Sequence, residues 1–220
     1  MKILYKFATR SRPDRFFKSL DNMHAMMRHT DFEIQVTADI DDDTMNTKEI
    51  SERVHSYTNT HILLGTSKNK VDAINRDMGL FTGWDILINM SDDMEFVQPG
   101  FDMQILSDYA SLPKGDVLMH YPDQAAGQAL ITMAIMDNKY YGRFGYIYNP
   151  EYKSLFCDNE QHEVAKLLGR YKFFKRRLFN HNHPAWGLAP MDALVVHTES
   201  FHNEDKATFE RRKAINFGIE

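Results

Sequence analysis

The segment DILINMSDDMEF, residues 85–96, decides the fold that we predict from the sequence. Its first half is a short apolar run, which is typical of a strand buried inside a sheet. Two adjacent carboxylates, Asp92 and Asp93, follow this strand directly. Because neighbouring carboxylates repel each other, they favour a bound cation, and Asp oxygens suit Mg²⁺ or Mn²⁺. A solvated acidic turn is the alternative, and the segment alone does not decide between the two.

Strand-like runs alternate with helical patterns on both sides of this segment. The predicted strands cover residues 2–8, 32–38, 61–64, 85–90, 115–120, 131–136 and 171–174. The predicted helices cover residues 16–27, 51–57, 69–78, 100–109 and 158–168. This alternation indicates βαβ units, so we expect an α/β fold with a mainly parallel central sheet flanked by helices. Residues 139–148 are predicted as a strand or a loop, and residues 179–190 as a loop.

Polar clusters come where three of the predicted strands end. TRSR occupies residues 9–12, DIDDD residues 39–43 and SDD residues 91–93. In open α/β sheets, ligands bind beyond the carboxyl ends of the strands. We therefore expect a single ligand site that draws on all three clusters.

The composition narrows the class of protein. A chain of 220 residues with 43% hydrophobic residues can bury a substantial core, which argues against overall disorder. The net charge of −5 argues against a dedicated nucleic-acid coat, although it allows a local basic patch. The single cysteine, Cys157, and the lack of a secretory signal favour a cytoplasmic location. We expect no membrane span, because no apolar run is long enough.

The residues around Asp93 resemble a known family. ILINMSDDMEF is similar to the strand and DXD-type motif of glycosyltransferases with the GT-A fold, especially family 2-like members. Five further segments resemble parts of this family in the same order: KFATRSRPDRF, VTADIDDD, NKVDAINRDM, CDNEQHEVAKLLGRY and NHNHPAWG. The resemblance implies a single Rossmann-like GT-A domain over residues 1–190 and a C-terminal helical extension over residues 191–220. It also implies a metal-dependent glycosyltransferase that uses a UDP- or GDP-sugar with Mn²⁺ or Mg²⁺.

The resemblance also assigns the nucleotide-sugar site. The loop after the first strand would face the nucleotide, the second strand would end against the base or ribose, and the third helix would flank it. The residues that match these positions are Thr9, Arg10, Arg12, Asp39, Asp41, Lys70 and Asn75. Asp92, in the DXD-type motif itself, is a further candidate for a ribose contact. The residue types alone leave other interpretations open. The arginines could lie on the surface, and most of the acids could belong to a solvated loop.

By the same resemblance, Asp93 is the safest metal ligand, because Ser91 replaces the usual first acid of the motif. His181 and His183 form an H-x-H pair, whose rings point to one side of an extended segment. His183 is the better match to a metal ligand, and His181 is a second ligand or a phosphate contact. Ordinary surface histidines are the alternative for either residue.

Asp158 matches the acid that acts as a base in inverting relatives, and Cys157 replaces the acid that normally precedes it. A carboxylate that takes the proton of an acceptor hydroxyl speeds the attack of that hydroxyl. The alternative is a helix cap, since Asp is also favoured at the start of a helix. Glu160 is the reserve candidate for the base.

A glycan and a modified nucleobase in DNA are both candidates for the acceptor of the sugar. Residues 170–177 interleave basic and aromatic side chains, as nucleic-acid contacts do, although a strand edge with exposed cations is the commoner reading. A sugar nucleotidyltransferase is a rival class, but it normally needs a glycine-rich loop that residues 6–15 lack. A third class is a non-catalytic domain that binds a glycan or a nucleic acid.

Overall fold

A seven-stranded sheet organises the computed structural model, which describes residues 1–113 and 115–219. The strands are β1 (Ile3–Ala8), β2 (Phe32–Asp39), β3 (Thr60–Gly65), β4 (Ile86–Met90), β5 (Met94–Phe96), β6 (Leu118–His120), β7 (Ile135–Asp137), β8 (Tyr171–Phe173) and β9 (Phe179–His181). The helices are α1 (Pro13–Met26), α2 (Lys48–His55), α3 (Lys70–Asn75), α4 (Phe101–Ala110), α5 (Asn138–Phe144), α6 (Cys157–Leu167), α7 (Ala193–Glu199) and α8 (His202–Lys213). Short 3₁₀ turns lie at Met78–Leu80, Pro184–Trp186 and Asn216–Gly218.

The strands follow the order β3-β2-β1-β4-β7-β6-β8 across the sheet. Strands β1 to β4 are parallel, and β7 is antiparallel to both of its neighbours, β4 and β6. Strand β8 pairs with β6 in parallel, so it runs in the same direction as β1. The prediction of an α/β fold with a mainly parallel sheet is confirmed. Strands β5 and β9 form a separate antiparallel pair.

The predicted apolar patterns account for the packing of β4 and α1. All five residues of β4 are buried, as expected for a strand covered on both faces. Helix α1 begins at Pro13. Proline lacks an N–H group, and the first turn of a helix tolerates this because N–H groups there have no acceptor within the helix. Its stripe of Phe16, Leu20 and Met23 is buried against the sheet, in the core that also contains β1 and β4 residues. The loop that follows β4 and the loop that precedes α1 are thereby fixed at one edge of the sheet.

The prediction for residues 139–148 was wrong, because Asn138–Phe144 is the helix α5. The Asp137 carboxylate accepts a hydrogen bond from the Tyr140 N–H at 2.8 Å and so caps the helix. Gly145 ends it with φ of 72°, a left-handed conformation that favours glycine. The aromatic content of the segment suggested a strand, but the capping residue Asp137 and the terminating residue Gly145 favour a helix between them. The loop predicted at residues 179–190 was also partly wrong, since Phe179–His181 pairs with β5.

The C-terminal residues form helices. Helix α8 packs against α6 and the Asn216–Gly218 turn, and residue 220 of the expected extension lies outside the described residues. No helix within residues 1–113 and 115–219 is long and apolar enough to cross a membrane.

Candidate active site

Two connected cavities lie at the carboxyl ends of the parallel strands. The smaller cavity, about 310 Å³ and here called the β2 chamber, is lined by Thr9, Arg10, Arg12, Asp39, Asp41, Ser67, Lys68, Asp92 and residues of α7. The larger cavity, about 540 Å³ and here called the α6 chamber, is lined by Asn89, Thr132, Tyr148, Asp158, His181, Trp186 and His202 among others. The two chambers share Ala8, Lys70, Ser91, Asp93 and His183. The three predicted polar clusters therefore contribute to one composite site.

An ion-pair network forms one wall of the β2 chamber. The Arg10 guanidinium donates to Asp39 at 3.0 Å and to Asp41 at 2.7 Å, which raises the pKa of Arg10 above its ordinary value. Arg76 donates to the other oxygen of Asp39 at 3.2 Å. The Thr9 hydroxyl is buried and has no hydrogen-bond partner in the part of the chain that the structure describes, so it is available to a bound ligand. This wall presents hydrogen-bond donors and acceptors at fixed positions to a polar ligand in the β2 chamber.

Lys70 and Asn75, both predicted from the α3 motif, have different surroundings. Lys70 opens α3 and lines both chambers. Asn75 lines neither: its amide donates to the Tyr148 carbonyl at 2.6 Å and accepts from the Ile147 N–H at 2.9 Å. Its side chain thus ties α3 to the chain that leads towards α6. No local pattern indicated this long-range contact, and we no longer place Asn75 against the nucleotide.

Asp92 and Arg12 connect the wall between the chambers to α7. Asp92 is buried, and burial raises its pKa to about 6, with Arg12 at 3.1 Å acting in the opposite direction. The same guanidinium donates to Asp192 at 2.6 Å. Asp192 caps α7 by accepting from the Val195 N–H at 2.9 Å. Arg12 therefore fastens α7 over the β2 chamber, where Leu194, Val195, His197 and Thr198 line it.

Asp93 lies at the junction of the two chambers. Burial alone would raise its pKa, but a hydrogen bond and the charge of His181 hold the pKa well below the usual range. The Nε2 atom of His181 lies 3.4 Å from Oδ2 of Asp93, and its Nδ1 atom lies 3.6 Å from Oδ2 of Asp123. Burial would lower the pKa of His181, yet Asp123 and Asp93 raise it to about 9. His181 is thus a charged partner of two carboxylates, and it would have to lose a proton to bind a metal.

Asp123 was not predicted from the sequence. Its carboxylate accepts from the N–H groups of Ala125 at 2.8 Å and Ala126 at 2.6 Å, and from the Thr132 hydroxyl at 2.9 Å. Asp123 comes three positions after the predicted strand 115–120. The rule that ligands bind beyond the carboxyl ends of strands could therefore have identified it. It orients His181 from the side opposite Asp93.

The side chains at the junction fit a divalent cation with few protein ligands. The Oδ1 atom of Asp93 is buried and has no hydrogen-bond partner among the described residues, and His183 lines both chambers beside it. Within residues 1–113 and 115–219, no three His, Cys, Asp or Glu side chains are gathered as a metal-binding group. Mg²⁺ and related ions often take one or two carboxylates and complete their shell with water and phosphate oxygens. The Nδ1 atom of His183 already accepts from the Ala185 N–H at 3.2 Å.

The two predicted base candidates lie in different surroundings. Asp158, at the second position of α6, lines the α6 chamber, and burial raises the pKa of its carboxyl group. Glu160 faces away from that chamber and accepts from Asn149, Tyr152 and Arg212 at 2.7–2.9 Å. Because its two oxygens are held by these donors, we no longer consider Glu160 a base.

Trp186 and the aromatic-rich residues 140–146 differ in their position relative to the chambers. Residues 140–146 line neither chamber, since they belong to α5 and to the turn after it. Trp186 does line the α6 chamber, and 49% of its surface is exposed. A half-exposed indole at a cavity mouth offers a flat apolar face to a sugar or a base.

Solved structures share this fold, although no protein-family model and no curated protein matches the sequence. Mannosyltransferase PcManGT from Pyrobaculum calidifontis, in complex with GDP-Man and Mn²⁺, matches with a TM-score of 0.60 and 13% identity. The match covers 80% of this chain and 54% of the mannosyltransferase, so the chain corresponds to about half of that protein. TarS 1-349 from S. aureus in complex with UDP matches with a TM-score of 0.64 and 12% identity, over 100% of this chain and 76% of TarS 1-349. Its complex with UDP-GlcNAc matches with a TM-score of 0.63 and 12% identity, over 88% and 60%.

Proposed function

Because the chain has the GT-A fold of these structures, we propose that it is a glycosyltransferase that moves a sugar from a nucleotide-diphosphate sugar to an acceptor hydroxyl. The observation that carries the proposal is the position of Asp93. Its buried, unpartnered oxygen lies where a chamber lined by Arg10, Arg12 and Lys70 meets a chamber that contains Asp158. Sugar transfer would use these parts in this order. Cationic side chains bind the diphosphate, the acid at the junction holds the cation, and the base accepts the proton of the acceptor hydroxyl.

The β2 chamber would hold the nucleotide. Asp39 and Asp41, with Arg10 between them, offer both acceptors and donors to a base and a ribose. Lys70 and Arg12 lie on the side nearer Asp93, where the diphosphate would be. Arginine and lysine are the residues that most often bind phosphate oxygens. The likeness to complexes that contain GDP-Man and UDP supports this placement.

Asp93 and His183 would hold a divalent cation, for which Mn²⁺ and Mg²⁺ are the candidates. Such an ion supplies charge compensation for the leaving nucleoside diphosphate. The Mn²⁺ in the mannosyltransferase complex supports this cofactor class. Asp92 and Arg12 would fix the loop that carries Asp93, since their ion pair is buried beside it.

Asp158 would act on the acceptor in the α6 chamber. Its carboxylate takes the proton of the acceptor hydroxyl as the oxygen attacks the anomeric carbon. The bond between that carbon and the diphosphate oxygen breaks in the same step, so the configuration inverts. A positioned carboxylate of this kind contributes about 10²–10⁴-fold to such a reaction.

We expect UDP or GDP to raise the melting temperature more with Mn²⁺ than with EDTA. The reason is that a cation held by Asp93 would add to the affinity for the diphosphate that Lys70 and Arg12 supply. Differential scanning fluorimetry with both nucleotides, each with and without metal, measures the difference. Equal shifts in Mn²⁺ and in EDTA would count against a metal site, and no shift for any nucleotide would count against the donor class.

A basic segment supports a phosphate-rich acceptor such as a nucleic acid. Lys172, Lys175, Arg176 and Arg177 are exposed, and within residues 1–113 and 115–219 none of them has a carboxylate partner in an ion pair. The chain leaves β8 at the sheet edge where β1 and β4 also end. Strand β8 is three strands from β4 on the side away from β2, a separation of about 14 Å at about 4.8 Å per strand. None of these four residues lines either chamber, so the segment would contact a phosphate-rich acceptor outside the site.

Replacing Lys175, Arg176 and Arg177 by glutamine is expected to weaken binding of a single-stranded DNA oligonucleotide at least tenfold. Fewer phosphate contacts also reduce the dependence of affinity on salt concentration. Fluorescence anisotropy at several salt concentrations measures both. The control variant replaces Lys48, Lys206 and Lys213, which are exposed elsewhere and change the net charge equally. Equal weakening in the two variants would mean that the segment is not a specific contact.

A further inference from the structure

A buried carboxylate of the C-terminal helix holds the chain that leads into α6. Asp205, in the first turn of α8, is fully buried. Its oxygens accept from the backbone N–H groups of Lys153 at 2.9 Å, Ser154 at 2.8 Å and Leu155 at 2.7 Å. Hydrogen bonds from N–H groups to a charged acceptor are stronger than neutral ones. These bonds tie three consecutive residues to a helix about fifty positions later in the chain.

Two of the tethered residues, Ser154 and Leu155, belong to one wall of the α6 chamber. Residues 154–159 all line it, and Asp158 is among them. Between the tether and Asp158 stands Phe156, whose φ of 60° is a conformation that non-glycine residues rarely adopt. Such a conformation persists only where the surroundings hold it. The Phe156 ring packs against Phe209 of α8, with ring centroids 5.8 Å apart.

A second contact fixes α6 to the same helix. Arg212 of α8 donates to both oxygens of Glu160, at 2.7 and 2.8 Å. The Tyr152 hydroxyl and the Asn149 amide complete the shell of this buried carboxylate. The chain is therefore attached to α8 on both sides of Asp158.

We propose that α8 is a clamp that positions Asp158, with Asp205 as its main positioning residue. The inference rests on the proposed function, because it assumes that Asp158 is the base. Without the three hydrogen bonds to Asp205, residues 153–156 are free to relax from the left-handed turn. The first turn of α6 then moves, and a displacement of about 1 Å at a reacting group lowers the rate about a hundredfold.

The test is Asp205→Asn, which keeps the shape but removes the charge and one of the two accepting oxygens. We expect kcat for sugar transfer to fall tenfold to a hundredfold, with the affinity for UDP and Mn²⁺ changed less than twofold. The nucleotide affinity is spared because none of residues 153–156 lines the β2 chamber. Alkylation of Cys157, the only cysteine, reports the state of the segment independently of activity. We expect Asp205→Asn to speed this alkylation at least tenfold, well below the melting temperature.

Glu204→Gln is the matched control, because Glu204 is the exposed neighbour of Asp205 and, within residues 1–113 and 115–219, forms an ion pair with the Lys153 ammonium alone. We expect it to leave kcat and alkylation within twofold of wild type. If Asp205→Asn does not yield folded protein, Arg212→Lys should shift both measurements in the same direction. Unchanged alkylation, or faster alkylation with an unchanged kcat, overturns the proposal. Faster alkylation in a chain whose wild type uses no donor sugar would support the clamp and contradict the proposed function.

Discussion

Asp93→Asn is expected to lower donor hydrolysis and transfer at least about a hundredfold, the scale of losing one preorganised electrostatic contact to a developing charge. Asparagine keeps the shape of the side chain but lacks the charge that a divalent cation needs. The buried oxygen without a partner, Oδ1, is the atom on which the cation would rest. The Mn²⁺-dependent part of the nucleotide-induced rise in melting temperature should disappear together with the activity. Release of the nucleoside diphosphate and fluorimetry measure the two effects.

Asp43→Asn is the control for this substitution. Asp43 also follows a strand end in an acidic run, but it is exposed and lines neither chamber. We expect it to change activity less than twofold. If Asp93→Asn retained both the activity and the response to Mn²⁺, the position of the cation, and with it the central part of the proposed function, would be wrong.

The sequence predicted the elements whose patterns are local. Strand β4 could be identified because a buried parallel strand is a continuous apolar run, and the stripe of α1 because apolar residues recur at helical spacing. The carboxyl-end rule then placed the clusters at residues 9–12, 39–43 and 91–93 at one edge, where the chambers lie. These inferences need only the neighbours of a residue along the chain.

The sequence could not predict what depends on partners far along the chain. Glu160 lies in the same first turn of α6 as Asp158, and both could have been bases from their spacing alone. Arg212, 52 residues later, binds the Glu160 carboxylate, so that of these two acids Asp158 is the one that lines the α6 chamber. The position of the Asn75 side chain is likewise set by its hydrogen bond to the backbone carbonyl of Tyr148, 73 residues away. Contacts of this kind are set by tertiary packing, which no local pattern records.

His181 shows how charge also depends on such contacts. Its place in the H-x-H pair suggested a neutral ligand, but Asp93 and Asp123 on its two sides raise its pKa to about 9. One of these carboxylates was expected, and the other comes from the loop after β6. Asp93 and Asp123 therefore share the positive charge of His181. The Oδ1 atom of Asp93 remains without a hydrogen-bond partner among the described residues. A cation that binds there joins a network in which one positive charge is already present.

Asp158→Asn is expected to lower transfer about 10²–10⁴-fold while nucleotide binding stays within twofold of wild type, because the substitution removes only the proton acceptor. The pH dependence gives a second measurement. A base works in its ionised form, and burial raises the pKa of Asp158, so wild-type kcat should fall on the acid side at a higher pH than for a solvated aspartate. The residual rate of the variant should not show this acid limb.

Glu163→Gln provides the control within the same helix, since Glu163 lines neither chamber and only approaches Lys166 at 3.9 Å. Its rate and pH profile should match those of wild type. A normal rate in Asp158→Asn would show that another group accepts the proton. A lowered rate that keeps the same acid limb would show that Asp158 shapes the chamber but does not titrate in the reaction. Only loss of the rate together with loss of the limb assigns proton transfer to this carboxylate, because the limb follows the ionisation of the group that accepts the proton.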